Sequence, residues 1–257
     1  MQLARGASIA FPLIVLAACA TPERATTQGA SNQAGACKLA SAPNTLTSLA
    51  RCCAESLASN PSCREYNPDR GFVIIKDNAP DKPDAYLIMP VATVSGIEDP
   101  QVFRSPVANF WQYGFEEAKP FLRVPDRVTA LAINSEYGRT QNQLHIHISC
   151  VRPDVIAVLE RARRLGRDPT QPMQLRLRPE NHSYRAVVVR ELLGNDSPFS
   201  IVAKMPGAAE TMGRQSIAVI GSRVPQNYYV LDTVAGPGNP GSAEELLDQT
   251  CSRAPRE

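Results

Sequence analysis

Apolar residues in this chain come in short blocks separated by turn-formers, with few long periodic runs. FVIIKD (Phe72–Asp77) and AYLIMP (Ala85–Pro90) read as strands joined by the proline-rich loop NAPDKPD. Ser48–Ala58 predicts a short helix, and Asn109–Leu122 a longer one, with Phe110, Trp111, Gly114 and Phe115 grouped and Pro120 near its end. Val128–Ile133 and Gln143–Ser149 read as strands on either side of the polar turn NSEYGRTQN. After Arg152 a helix starts cleanly. Pro153 suits the first helical position, and Val155, Ile156, Val158, Leu159 and Ala162 make an apolar stripe as far as Gly166. Its other side carries Arg161, Arg163, Arg164 and Arg167, read as a solvated face in preference to a lipid-binding one.

Further on, Ala186–Val189 and Ser200–Ala203 read as short strands and Ala208–Met212 as a helix. SIAVIGSRVPQNYYVLDT (Ser216–Thr233) predicts an antiparallel hairpin. After the loop GPGNPGS, Ala243–Gln249 predicts a last short helix. No tandem repeat and no second long apolar span is present, so the expected fold class is α+β, built on antiparallel strands.

The first twenty residues, MQLARGASIAFPLIVLAACA, change the picture. One positive residue, an apolar run and small residues before Cys19 make a secretory signal over residues 1–18. LAAC resembles a lipobox, which implies acylation of Cys19 and a membrane anchor. TPERATTQGASNQAG is polar and non-periodic, so residues 19–36 read as a tether and residues 37–257 as the folded domain. The remaining cysteines are Cys37, Cys52, Cys53, Cys63, Cys150 and Cys251. An even number in an exported chain points to disulfides. The expected pairs are Cys150–Cys251, and Cys63 with either Cys52 or Cys53. No CxxC spacing occurs, which ranks zinc below disulfides. A net charge of +2 over 257 residues gives no reason to expect a nucleic-acid partner.

Two of only three histidines sit in QLHIHIS. Side chains alternate along a strand, so Gln143, His145, His147 and Ser149 share one face while Leu144, Ile146 and Ile148 face the core. Three readings compete for such a row: surface histidines, a two-ligand metal unit that needs a third ligand such as His182 or a carboxylate, and nucleophilic catalysis at phosphorus.

QLHIHIS resembles the HφHφHφφ signature of the histidine-triad hydrolases and transferases (φ is apolar), with Gln143 in place of the first histidine. The preceding AINSEYGRTQN and the upstream KDNAPDKPDAYLIMP are similar to that superfamily's flanking elements. Together with PDRVTALAINSEYGRTQNQLHIHISCVRPDV, MGR at Met212–Arg214 and SAEE at Ser242–Glu245, the chain resembles the CDP-diacylglycerol pyrophosphatase family from about Cys53 to Cys251. The resemblance implies a histidine-triad-like antiparallel sheet with flanking helices, extended by C-terminal strands. It also implies hydrolysis of CDP-diacylglycerol to CMP and phosphatidate, on the periplasmic side of the inner membrane.

By the same resemblance His145 is the nucleophile, and His147 holds a non-bridging oxygen. Asn134 and Thr140 contact phosphate and Asp77 holds the ribose. Arg139 stands where many triad proteins carry an uncharged residue, and its guanidinium suits the second phosphate of a pyrophosphate. Gln143 keeps some hydrogen-bonding capacity at the lost histidine's position. No cofactor and no metal is required by this chemistry. A hydrolase of soluble nucleotides, or an envelope lipoprotein that binds nucleotide or metal without turnover, are the rival expectations.

Overall fold

The antiparallel pattern predicted from the short apolar blocks is realised as a single sheet. The computed structural model describes residues 45–165 and 172–256, all within one compact unit. The signal, Cys19, the tether, Cys37 and Arg167 lie outside the described residues.

In chain order the elements are α1 (Thr45–Glu55), β1 (Cys63–Asn67), β2 (Phe72–Lys76), β3 (Tyr86–Pro90), α2 (Phe110–Leu122), β4 (Thr129–Ile133) and β5 (Ile146–Val151). They continue as α3 (Pro153–Arg164), β6 (Met173–Leu177), β7 (His182–Val189), α4 (Pro198–Ala203), β8 (Gln215–Gly221), β9 (Tyr228–Val234) and β10 (Leu247–Asp248). The strands run in the order β1-β2-β3-β5-β4-β8-β9-β7-β6, every pairing antiparallel, and β10 joins β5 beyond the end of β3.

The two faces of the sheet are covered differently. On one, Phe72, Ile74, Ile88, Leu131, Ile146 and Ile148 meet Phe110, Trp111 and Phe115 of α2 and Phe199 of α4 in the largest core. Every residue of β4 and β5 is buried, the polar His147 and Ser149 of β5 included. The other face holds two smaller cores. α1 covers Val73, Ile75, Leu87 and Met89, and α3 covers Ala130, Ala132, Ala218 and Leu231. His147 pairs with Leu87 on one side and Ala132 on the other, so it sits where the α1 patch ends and the α3 patch begins. That gap is where a cavity can form.

Both expected disulfides are made, Cys150–Cys251 and Cys53–Cys63. The first closes a loop of 101 residues and ties the C-terminal tail to the histidine strand.

Several sequence expectations need correction. Ser200–Ala203 is not a strand: it lies in α4, started by Pro198 and by the Ser197 side chain accepting from Ser200 N–H. Ala243–Gln249 is not a helix but a 3₁₀ turn at Ala243–Leu246 followed by β10. Ala208–Met212 is replaced by a 3₁₀ segment, Ala209–Arg214. The first helix ends at Glu55, because Ser56 is extended and caps the next turn. The ladder of the histidine strand starts only at Ile146, with residues 143–145 running up to it. β1 (CREYN) and β6 (MQLRL) were not anticipated, since both carry charged side chains on their open faces.

Candidate active site

The site is built on the run-up to β5 and on the loops beside it. His145, His147, Asp77, Asn134, Arg139 and Thr140 line one cavity of about 330 Å³, together with Lys82 and Glu244. Leu46 and Leu87 add apolar surface. The two imidazoles lie 5.0 Å apart, at 69° to each other.

His145 Nδ1 is 2.6 Å from the carbonyl oxygen of Gln143. A carbonyl can only accept, so Nδ1 carries the proton and Nε2 keeps the lone pair. Burial pushes the His145 pKa down, against the opposing pull of that carbonyl. Burial also pushes His147 down, to about 4. Both rings are therefore neutral at physiological pH. Among the described residues neither nitrogen of His147 has a hydrogen-bond partner, and its Nε2 stands 3.4 Å from Glu244 Oε2.

Glu244 is the most heavily held group in the cavity. Lys82 Nζ donates to Oε1 at 2.5 Å, Gln249 donates to the same oxygen, and Asn134 Nδ2 donates to Oε2 at 3.3 Å. Burial opposes ionisation, but the His147 ring, the Lys82 ammonium and Gln249 outweigh it and hold the Glu244 carboxyl down at about 2. Burial works against the charge on Lys82 as well; Glu244 and Asp77 overcome it and raise its pKa. Asp77, His147 and Glu244 each bring one ligand atom to within 4.8 Å of the others, a donor set able to hold a divalent cation. The Lys82 ammonium already lies against both carboxylates, 3.6 Å from Asp77, so the positive charge there is the protein's own.

The remaining expected residues fall in different places. Asn134 receives the backbone N–H of Glu244 and the Ser242 hydroxyl on Oδ1, each at 3.2 Å, so its amide is engaged in fixing Glu244. Arg139 forms a two-pronged pair with Glu98, both contacts at 2.7 Å, and lies flat against Gly96, where any Cβ would collide with it. Thr140 is exposed at the rim. Gln143 does not line this cavity. Its amide donates to the carbonyls of Pro90 and Ala92 and accepts from Thr47, fastening the histidine strand to the exit of β3 and to α1. Lys82 and Glu244 were missed by sequence reasoning, although NAPDKPD and SAEE contain them.

A neutral imidazole with a fixed tautomer, a second unpartnered imidazole beside it, and a lysine held between carboxylates define a class: an antiparallel α+β enzyme equipped to act on phosphate esters or anhydrides. The family model described as CDP-diacylglycerol pyrophosphatase matches residues 42–255. The CDP-diacylglycerol pyrophosphatase of Yersinia pestis is 36% identical over 204 residues, covering 75% of this chain and 76% of that protein. The chain belongs to the CDP-diacylglycerol pyrophosphatase family. Among solved structures, yeast Ap4A phosphorylase Apa2 aligns with 69% of this chain and 62% of its own, at a TM-score of 0.43 and 12% identity. A DUF4931 family protein from Bacillus cereus aligns with 65% of this chain and 84% of its own, at a TM-score of 0.37 and 9% identity.

Proposed function

We propose that this chain performs its family's reaction through a covalent cytidylyl-histidine. The activity is that of a CDP-diacylglycerol pyrophosphatase, a hydrolase of phospholipid metabolism. Cleavage of the anhydride yields CMP and phosphatidate.

One observation carries the mechanism: the 2.6 Å contact from His145 Nδ1 to the Gln143 carbonyl, which leaves Nε2 as the unprotonated, nucleophilic nitrogen. Nε2 attacks the phosphorus next to cytidine. A P–N bond forms, the bond to the bridging oxygen breaks, and phosphatidate leaves with the electron pair. Phosphatidate is a weakly basic leaving group, so little proton donation is needed. Water then attacks the same phosphorus, releasing CMP and restoring the ring, with the surplus proton going to solvent.

His147 has free ring nitrogens to offer a non-bridging oxygen. Lys82 supplies the nearest positive charge to the anhydride, and Glu244 with Asp77 aims it. Asp77 holds the ribose hydroxyls on its side of the cavity. Thr140 and Asn134 adjoin the phosphates, Asn134 chiefly by fixing Glu244. Arg139 reaches the second phosphate only by sharing itself with Glu98. Gln143 takes over the first histidine's task of orienting His145, through its backbone carbonyl. No step calls on a cofactor.

The two disulfides fit an oxidising compartment, and among the described residues no helix is long and apolar enough to cross a membrane. Acylation of Cys19 would anchor the body to the periplasmic face of the inner membrane. Fatty-acid labelling that persists in Cys19→Ser would rule this anchor out.

The mechanism is tested with substrate radiolabelled in the CMP phosphate. Label should be trapped on wild type and on His182→Ala, and lost in His145→Ala. Trapping by His145→Ala would remove His145 as nucleophile.

A further inference from the structure

A second cavity lies beside the catalytic one. It has a volume of about 410 Å³ and is lined by Tyr137, Arg214, Ala235, Gly236, Asn239 and Pro240. We propose that this cavity takes an acyl chain of the liponucleotide, an inference that rests on the pyrophosphatase reading above.

The two cavities share one wall, the turn at residues 135–139. Tyr137 faces the second cavity, while Gly138 and Arg139 line the first. The wall is fixed in place. Ser135 N–H donates to the Gly241 carbonyl at 2.8 Å, and the Ser135 hydroxyl to the Pro240 carbonyl at 2.7 Å. Gly138 lies so close to that segment that a Cβ there would stand 2.6 Å from Gly241 O. A group that passes over this turn moves directly from one cavity to the next.

Sheet order gives the direction. β5 lies between β3 and β4, and β8 and β9 follow beyond β4. Asp77 and Lys82 stand on the β3 side of the histidines. Gly138, which follows β4, stands on the other, against Gly241, while Arg139 reaches back to Glu98. Arg214 precedes β8 and Ala235 follows β9, so the second cavity continues outward on the β4 side. With the nucleoside at Asp77, the lipid half of the substrate points over the turn toward Tyr137.

The lining suits a hydrocarbon chain. Tyr137 is 65% exposed and brings its ring to the edge of this cavity. The polar side chains there are turned to the protein. Asn239 donates to Thr233 and accepts from Gly241 N–H, and two nitrogens of Arg214 donate to the Ala235 carbonyl. What is left facing the space is mainly carbon from Tyr137, Ala235, Gly236 and Pro240.

The experiment compares wild type, Tyr137→Ala and Gly236→Trp on CDP-dioleoylglycerol in detergent micelles and on CDP-glycerol, which lacks acyl chains. Position 236 tolerates a side chain, since a Cβ there meets only Arg214 Nη2, at 3.7 Å; the indole then fills the cavity. We expect KM for CDP-dioleoylglycerol to rise about tenfold in both variants, the loss of roughly two buried methylenes, with turnover of CDP-glycerol unchanged. Equal losses on both substrates, or no loss on either, would overturn the assignment. A loss on vesicles without one in micelles would also overturn it, by making Tyr137 a bilayer contact. If wild type released CMP from neither substrate, the pyrophosphatase reading itself would fall.

Discussion

Glu244 and Glu245 are consecutive in the chain, and each stands beside a histidine. Glu244 is 3.4 Å from His147 Nε2; Glu245 places both oxygens 3.0 Å from His182 Nδ1. The outcomes are opposite. His147 is pushed down to about 4, whereas His182 is raised. Burial lowers both. At His182 burial is the largest single effect, yet the Glu245 carboxylate on one nitrogen and the Gly238 carbonyl on the other together outweigh it. Two acceptors favour a proton on each ring nitrogen, which is the charged form of the ring. His147 is wholly enclosed and gains no hydrogen bond from Glu244, whose carboxylate is engaged by Lys82, Gln249 and Asn134. An adjacent carboxylate does not by itself charge a histidine. The hydrogen bonds each ring makes, and the donors that compete for the carboxylate, decide. One pair becomes a brace between β7 and the segment bearing Glu244, and the other places a neutral ring in the wall of the candidate cavity.

The comparison can be broken most severely at the proposed nucleophile. His145→Ala should lower CMP release on the order of 10⁴-fold, while His182→Ala, outside the cavity, should change it little; similar losses in both would deny the distinction. Next in size, Lys82→Met removes the cation that engages Glu244. Turnover should fall on the order of 10²-fold, and His147 should titrate well above 4 by NMR, becoming more like His182. A His147 that stays neutral at pH 5 would show that Lys82 is not what separates the two pairs.

The pH profile sharpens the contrast. Because burial lowers the pKa of His145, the reactive neutral ring persists as pH falls, so the acid limb of kcat/KM should lie below 6.5. An acid limb at or above 6.5 would contradict this.

The smallest effect belongs to the brace. Its folded pKa is raised, so the stability it contributes is complete below about 6.5, the unfolded value, and is lost as pH rises through the higher folded one. The difference in Tm between wild type and His182→Gln should shrink from pH 6 to pH 9, with kcat changed by less than about threefold. A difference that grows with pH would reverse the sign assigned to His182.

Much of the site was legible because it depends on local periodicity. His145 and His147 two residues apart on an extended segment share a face whatever surrounds them, and Leu144, Ile146 and Ile148 must then point into the core. An even cysteine count suggested disulfides, with Cys150–Cys251 and Cys63 bonded to Cys52 or Cys53 as the expected pairs; the choice of Cys53 came from the fold. Glu244 was not. Its placement depends on the two-residue strand β10 pairing with β5, where local apolar spacing suggested a helix. Arg139 was legible as a residue of the turn before the histidine strand but not as the partner of Glu98, 41 positions earlier.

The amino-acid sequence alone determined the antiparallel α+β class, the imidazole pair on one face and the disulfide chemistry, since each follows from spacing or composition along the chain. Only the tertiary structure decided which ring is neutral, which carboxylate meets which cation and where a second cavity opens. Those outcomes depend on burial and on contacts between residues far apart in the chain, and a periodic pattern carries no record of either.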